Sequence, residues 1–158
     1  MAIQEVKEYF KKYGIENRIQ EFSVSSATVE LAAQALGCKP ERIAKSMSFK
    51  TKDKCIIVVT AGDVKVDNAK YKARFDVKAT MLSPEELPNC IGHEMGGICP
   101  FAIKDGVDVY LDESLKRFDT IFPACGSANS AIELTIDELE KYSHPKGWVD
   151  VCKLKENA

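Results

Sequence analysis

Ile56-Ile57-Val58-Val59 is the longest purely apolar run in this 158-residue chain, and it limits the folds open to it. Four residues fall far short of the roughly 20 that a bilayer-spanning helix needs. All four are β-branched, and the stretch from Cys55 to Thr60 reads as a buried strand. Before it, Lys45 to Lys50 alternates, with Met47 and Phe49 on one face. Lys52-Asp53 makes a hairpin turn between the two, and Ala61-Gly62-Asp63 ends the second strand.

Helical signals surround this hairpin. Residues 2–13 place Ile3, Val6, Phe10 and Tyr13 on one face, and Gly14 closes the end. Thr28 to Leu36 predicts a second helix stopped by Gly37, and Pro40 opens a turn or short helix. Asp67 to Phe75 predicts a third helix, with a basic face. Ser83-Pro84-Glu85-Glu86 and Thr135-Ile136-Asp137-Glu138 both carry the capping-box pattern of a helix start. Further strands are expected at Ile19–Phe22, Val107–Leu111, Thr120–Ala124, Ala131–Leu134 and Trp148–Cys152, with a short helix from Asp112. Strands mixed with helices, without regular βαβ spacing, predict an α+β fold around a mixed sheet.

The composition is 45% hydrophobic and 29% charged, near the globular average, which excludes a largely disordered chain, collagen and a long coiled coil. The length fits about one domain, taken as residues 1–158, that buries on the order of 70% of its unfolded surface. Met1-Ala2-Ile3-Gln4-Glu5 shows no basic segment followed by an apolar one, so no export signal is expected and the reading is cytoplasmic. Cysteines stand at 38, 55, 90, 99, 125 and 152, with no C-x-x-C pair, and reduced thiols are expected. The net charge is -2, yet residues 39–78 hold eleven Lys/Arg against five Asp/Glu. Such a basic segment permits a nucleic-acid partner without requiring one.

The segment Gly92-His93-Glu94-Met95-Gly96-Gly97-Ile98-Cys99-Pro100 is the most informative for chemistry. Its three glycines allow positive φ angles and let backbone N–H groups converge on a ligand oxygen. Neither a Walker A motif nor a dinucleotide fingerprint is present. Taken with Pro40-Glu41-Arg42-Ile43-Ala44-Lys45-Ser46, with Gly96-Gly97-Ile98-Cys99-Pro100-Phe101, with Val109-Tyr110-Leu111-Asp112-Glu113-Ser114, and with Gly126 ahead of Ile132-Glu133-Leu134, the chain resembles the YbaK/EbsC family. Those proteins are free-standing relatives of the editing domain of bacterial prolyl-tRNA synthetase. The order and spacing match from about residue 20 to residue 143.

The resemblance implies a mostly antiparallel mixed sheet curled toward a barrel, with surrounding helices. It implies a deacylase that hydrolyses the ester between a wrong small amino acid, such as alanine or cysteine, and its tRNA. Lys45 matches the family's functional lysine, and Gly96 to Pro100 its G-x-x-x-P loop, so Lys45, Gly96, Gly97 and Ile98 become the catalytic candidates. Cys99 stands where the family commonly has a small hydroxyl residue, and Ala102 where a glycine is often found. Both departures bear on pocket shape. The candidate substrate-binding residues are Phe22, Met47, Cys99, Pro100, Phe101, Asp112, Gly126 and Ser127. Among them Phe22, Met47 and Phe101 read equally well as core, and Asp112 as a helix cap. The expected partners are the mischarged tRNA acceptor end and prolyl-tRNA synthetase, with no membrane, metal or cofactor.

An aminoacyl ester is labile, and its hydrolysis needs positioned water and donors for the developing oxyanion rather than a strong nucleophile. Lysine, a point charge, suits the phosphate of the terminal adenosine. Two other readings stay open: a non-catalytic module that binds tRNA ends or a synthetase, and a thiol or zinc enzyme built on Cys99 and His93 with Cys90 and Cys125.

Overall fold

The computed structural model describes residues 2–155; residues 1 and 156–158 of the expected domain lie outside it. Helix α1 (Ala2–Lys11) buries Ile3, Val6 and Phe10, and Gly14 follows in the left-handed region. After strand β1 (Gln20–Glu21) comes α2 (Val29–Leu36). Thr28 caps its first turn by accepting the Leu31 N–H, and Gly37 closes it with φ +69°. A 3-10 turn at Pro40–Arg42 leads into β2 (Ile43–Lys50), β3 (Cys55–Ala61) and β4 (Val64–Val66). Asp67 then caps α3 (Asn68–Phe75) by accepting the Ala69 and Lys70 N–H groups. The chain continues through β5 (Thr80–Met81), α4 (Leu87–Cys90), β6 (Asp108–Asp112), a 3-10 turn at Glu113–Arg117, β7 (Thr120–Pro123), β8 (Ser130–Ala131), β9 (Leu134–Thr135), α5 (Ile136–Ser143), β10 (Gly147–Val149) and β11 (Cys152–Leu154).

The main sheet runs β10-β6-β3-β2-β7-β9, with β5 also on β2, and curls into a half-barrel. Five of the eight strand pairings described are antiparallel: β1–β8, β11–β4, β2–β3, β2–β5 and β7–β9. The three parallel ones are β10–β6, β2–β7 and β3–β6. The mixed, mostly antiparallel α+β expectation therefore holds.

Strand β3 shows why the apolar run is β-branched throughout. Ile57 and Val59 enter the core beneath α1 and α5, together with Phe10, Phe101 and Leu111. Ile56 and Val58 enter the opposite cluster with Phe49, Tyr71 and Val149. Both faces are covered, so no polar alternation survives, and each of these side chains contributes about 1.5–3 kcal/mol of burial. Among the described residues, no helix is long and apolar enough to cross a membrane, and all six cysteines are free thiols.

Local readings fail where long-range pairing decides. The segment predicted as one strand, Trp148 to Cys152, divides between two sheets, β10 beside β6 and β11 beside β4. The break is held by the buried Asp112 carboxylate, which accepts the Val151 N–H at 3.0 Å, while Asp67 donates its own N–H to the Val151 carbonyl. Ala131–Leu134 likewise separates into β8 and β9. At Ser83-Pro84-Glu85-Glu86 only half of the box forms: Glu86 Oε1 accepts the Ser83 N–H at 2.9 Å, but the Ser83 hydroxyl donates to the same oxygen and the Glu86 N–H bonds the Ser83 carbonyl, which closes a turn. The helix there begins only at Leu87 and ends by Cys90. The second capping box, at Thr135 and Glu138, opens α5 as expected.

Candidate active site

Strand β2 is paired with β3 from Ala44 to Lys50, but its other edge is paired only at its ends. Ile43 and Ala44 bond β7, and Phe49 and Lys50 bond β5. A cavity of about 120 Å³ sits beside the unpaired middle of that edge, lined from one side by Ala44, Lys45 and Ser46. The segment before α2 (Ser26, Ala27, Thr28), the loop residues Gly96 and Ile98, and Phe122, Ser130 and Ala131 are among the residues of the other walls.

Lys45 is half-buried, and its Nζ donates to the Val64 carbonyl at 3.0 Å. Burial, and then the positive charge of Lys155, push its pKa below the ordinary lysine value of 10.5. Across the cavity Gly96 has φ +89°, and a Cβ there would lie 3.1 Å from Ala27 Cβ. Gly97 turns to the other side of the loop, into a second hollow lined by Met95, Gly126 and Ser127. Its N–H is committed to the Glu94 carbonyl at 3.0 Å. The N–H groups of Gly96 and Ile98 donate to no protein acceptor among the described residues. The loop therefore presents two uncommitted donors on cavity residues rather than a continuous cradle through position 97.

Lys45, Gly96 and Ile98 thus share one cavity; the eight candidate substrate-binding residues do not line it. Phe22 exchanges backbone and side-chain bonds with Asn129. Met47 packs on the α3 side of the sheet. Phe101 is core, its ring 4.7 Å from Phe10. Pro100 borders a separate hollow beside Tyr9 and His144. Asp112 is buried as a backbone acceptor for Ser114 and Val151. Gly126 packs under α1, where a Cβ would lie 3.0 Å from the Ala2 backbone. Ser127 Oγ is 2.7 Å from Ser130 Oγ, so it reaches the cavity only through its neighbour. Ala102 adopts φ +53°, the left-handed conformation for which glycine is better suited.

The cavity residues that sequence reasoning passed over are mainly small. Ser26 and Ser46 both bury hydroxyls with no hydrogen-bond partner, an arrangement that neither spacing nor periodicity signals.

Cys99 and His93 do meet, with Sγ 3.5 Å from Nε2, yet the pair is not an activated nucleophile. His93 Nε2 lies 2.7 Å from the Phe101 carbonyl. A carbonyl only accepts, so Nε2 carries the hydrogen and cannot take the thiol proton. Burial lowers the His93 pKa and pushes the Cys99 thiol up to about 12. Cys99 has no exposed surface. Cys99→Ala is accordingly expected to keep ester turnover within about threefold of the parent; a loss beyond 100-fold, measured with the same charged tRNA, would restore the thiol reading. No three His, Cys, Asp or Glu side chains converge as a metal site among the described residues.

The model of the aminoacyl-tRNA editing domain matches residues 24–142. The chain is 53% identical over 154 residues to an uncharacterised protein of Bacillus subtilis (strain 168), YwhH, covering 97% of this chain and 98% of that one. It is 31% identical over 101 residues to a proline–tRNA ligase of Geobacillus sp. (strain WCH70); the match takes in 63% of this chain but only 18% of the ligase. A crystal structure of a candidate trans-editing enzyme for prolyl tRNA synthetase superposes with a TM-score of 0.86 at 23% identity, over 96% of this chain and 97% of the other, which establishes the shared fold. The family suggested by the Lys45 and Gly96–Pro100 motifs is the one the comparisons find, and the chain belongs to the aminoacyl-tRNA editing domain family.

Proposed function

We propose that the protein is a trans-editing deacylase that hydrolyses, by positioned water, the ester of a small amino acid mischarged onto tRNA, of the Cys- or Ala-tRNA-Pro type. The observation that carries this reading is one cavity with a half-buried cation on one wall and uncommitted backbone donors on the other. At about 120 Å³ it is smaller than the ~150 Å³ apolar cavity that takes up benzene. A small aminoacyl group suits it.

In this reading Lys45 holds the phosphate of the terminal adenosine, which brings the ester carbonyl against the loop. The N–H groups of Gly96 and Ile98 stabilise the oxyanion as water adds to the carbonyl carbon. The carbon–oxygen bond to the ribose then breaks, and the ribose oxygen takes the proton, leaving free amino acid and uncharged tRNA. Positioning supplies most of the acceleration for so activated an ester. The acceptor end of tRNA is the principal partner, prolyl-tRNA synthetase a second one, and the cytoplasm, where tRNA is charged, the place of action.

The test is a deacylation screen across tRNAs charged with Ala, Cys, Ser and Pro. At least one small aminoacyl ester is expected to be cleaved well above its spontaneous rate. A panel left intact, together with RNA binding that weakens steeply with salt, would replace the enzyme with a non-catalytic binding module.

A further inference from the structure

The ribbon formed by β4 and β11 carries an arrangement that folding alone does not favour. Lys65 and Lys153 are direct cross-strand partners, and both are exposed. Like charges placed opposite one another in an antiparallel pair destabilise it. The neighbouring positions Val64 and Cys152 are buried in the second core, which fixes the register and keeps the two lysines together on the outer face. Lys155 follows, its N–H bonded to the Asp63 carbonyl at 3.0 Å, and its charge is felt at Lys45.

The nearby acids are already engaged. Asp63 holds Arg117 through contacts of 3.0 and 2.6 Å. Asp150 holds Lys70 at 3.1 Å. Asp67, the acid beside Lys153, caps α3 through two backbone N–H groups. Among the described residues no carboxylate comes within ion-pair distance of Lys65, Lys153 or Lys155. The ribbon also leads directly to the cavity, because Lys45 Nζ is bonded to the carbonyl of Val64, the residue before Lys65.

We propose that the β4–β11 ribbon is a docking strip for RNA phosphates, placing the acceptor-stem backbone so that the 3′ end enters the cavity at Lys45. The occupant is a phosphodiester chain, since a row of cations without counter-ions among the described residues, continuous with the site, is complementary to a polyanion. The choice of tRNA as that RNA rests on the deacylase reading.

The test measures binding of a labelled, uncharged acceptor-stem minihelix by anisotropy across a salt series. K65Q/K153Q is expected to weaken binding about tenfold and to flatten the dependence of log K on log salt by one to two units, since each phosphate contact contributes roughly 0.7–0.9 to the slope. The charge-retaining K65R/K153R should keep the slope. K11Q/K141Q, on α1 and α5 beside the other core, should lose far less affinity. The thermal midpoint of K65Q/K153Q is expected to hold or rise, which separates lost docking from lost folding. Cleavage of a small aminoacyl-adenosine ester, which has no stem, should be unaffected. Unchanged affinity and slope in K65Q/K153Q, or an equal loss in K11Q/K141Q, would overturn the assignment. So would polyglutamate binding as tightly through the same lysines, which would point to an acidic protein face instead. A parent protein that cleaves no ester, yet binds the minihelix through this pair, would remove the deacylase reading and leave the ribbon assignment in place.

Discussion

Lys45→Met is expected to reduce kcat/KM for the cleaved aminoacyl-tRNA by roughly 100-fold, the scale set by misplacing a positioned ester by about 1 Å once its phosphate is no longer held. The fold should not suffer. Burial has depressed the pKa of Lys45, so the unfolded chain binds that proton more tightly than the folded one. Stability contributed by this residue therefore rises with pH between the depressed folded value and the unfolded value, and below that window the buried charge is a net cost. Removing it at neutral pH should leave the denaturation midpoint unchanged or slightly higher, although the bond to Val64 is lost. The same depression means that phosphate binding should fade at a lower pH than an exposed lysine would show, readable as a rise in KM with alkali in the parent and its absence in the variant. A Lys45→Met protein with full turnover would dismantle the catalytic assignment.

The second large effect is expected at Gly97. A Cβ there would lie 2.7 Å from the Ser127 nitrogen and 2.8 Å from the Gly126 carbonyl carbon. Both obstacles are backbone, so no side chain can rotate away. Gly97→Ala must push the loop from the 126–127 turn, and overpacking of this kind costs about 1–3 kcal/mol. The shift also moves Gly96 and Ile98, whose N–H groups are the proposed oxyanion donors. A displacement of about 1 Å in a positioned site lowers rate about 100-fold. Urea denaturation and single-turnover deacylation read the two consequences separately. A variant with parental stability would show that the loop is looser than the contacts at Gly97 imply.

The sequence made the β2–β3 hairpin legible because its information is local: a turn at Lys52-Asp53 and a run of β-branched residues. The capping box at Thr135 was legible for the same reason. Strand β4 and the division of the last segment were not, since Val64–Val66 and Cys152–Leu154 become strands only by finding each other across more than 80 residues. At the site, motif order singled out Lys45 and the glycine loop. It could not say which side of the loop Gly97 takes, which depends on the distant 126–127 turn, nor that β2 has an unpaired edge, which depends on where β5 and β7 stop. Phe101 and Met47 illustrate the resulting ambiguity. An apolar residue one or two positions from a functional one is as readily core as wall, and here Phe101 is core and Met47 packs, half-buried, against the second core.

The place of the final strands bears on when the protein becomes competent during synthesis. Val64, whose carbonyl holds Lys45, is paired with Leu154, and β10 completes the sheet by joining β6 in parallel. A nascent chain emerging from the ribosome can close the early hairpin at once. The anchorage of its key cation must wait until residues 147–154 clear the exit tunnel, because such distant pairings form late.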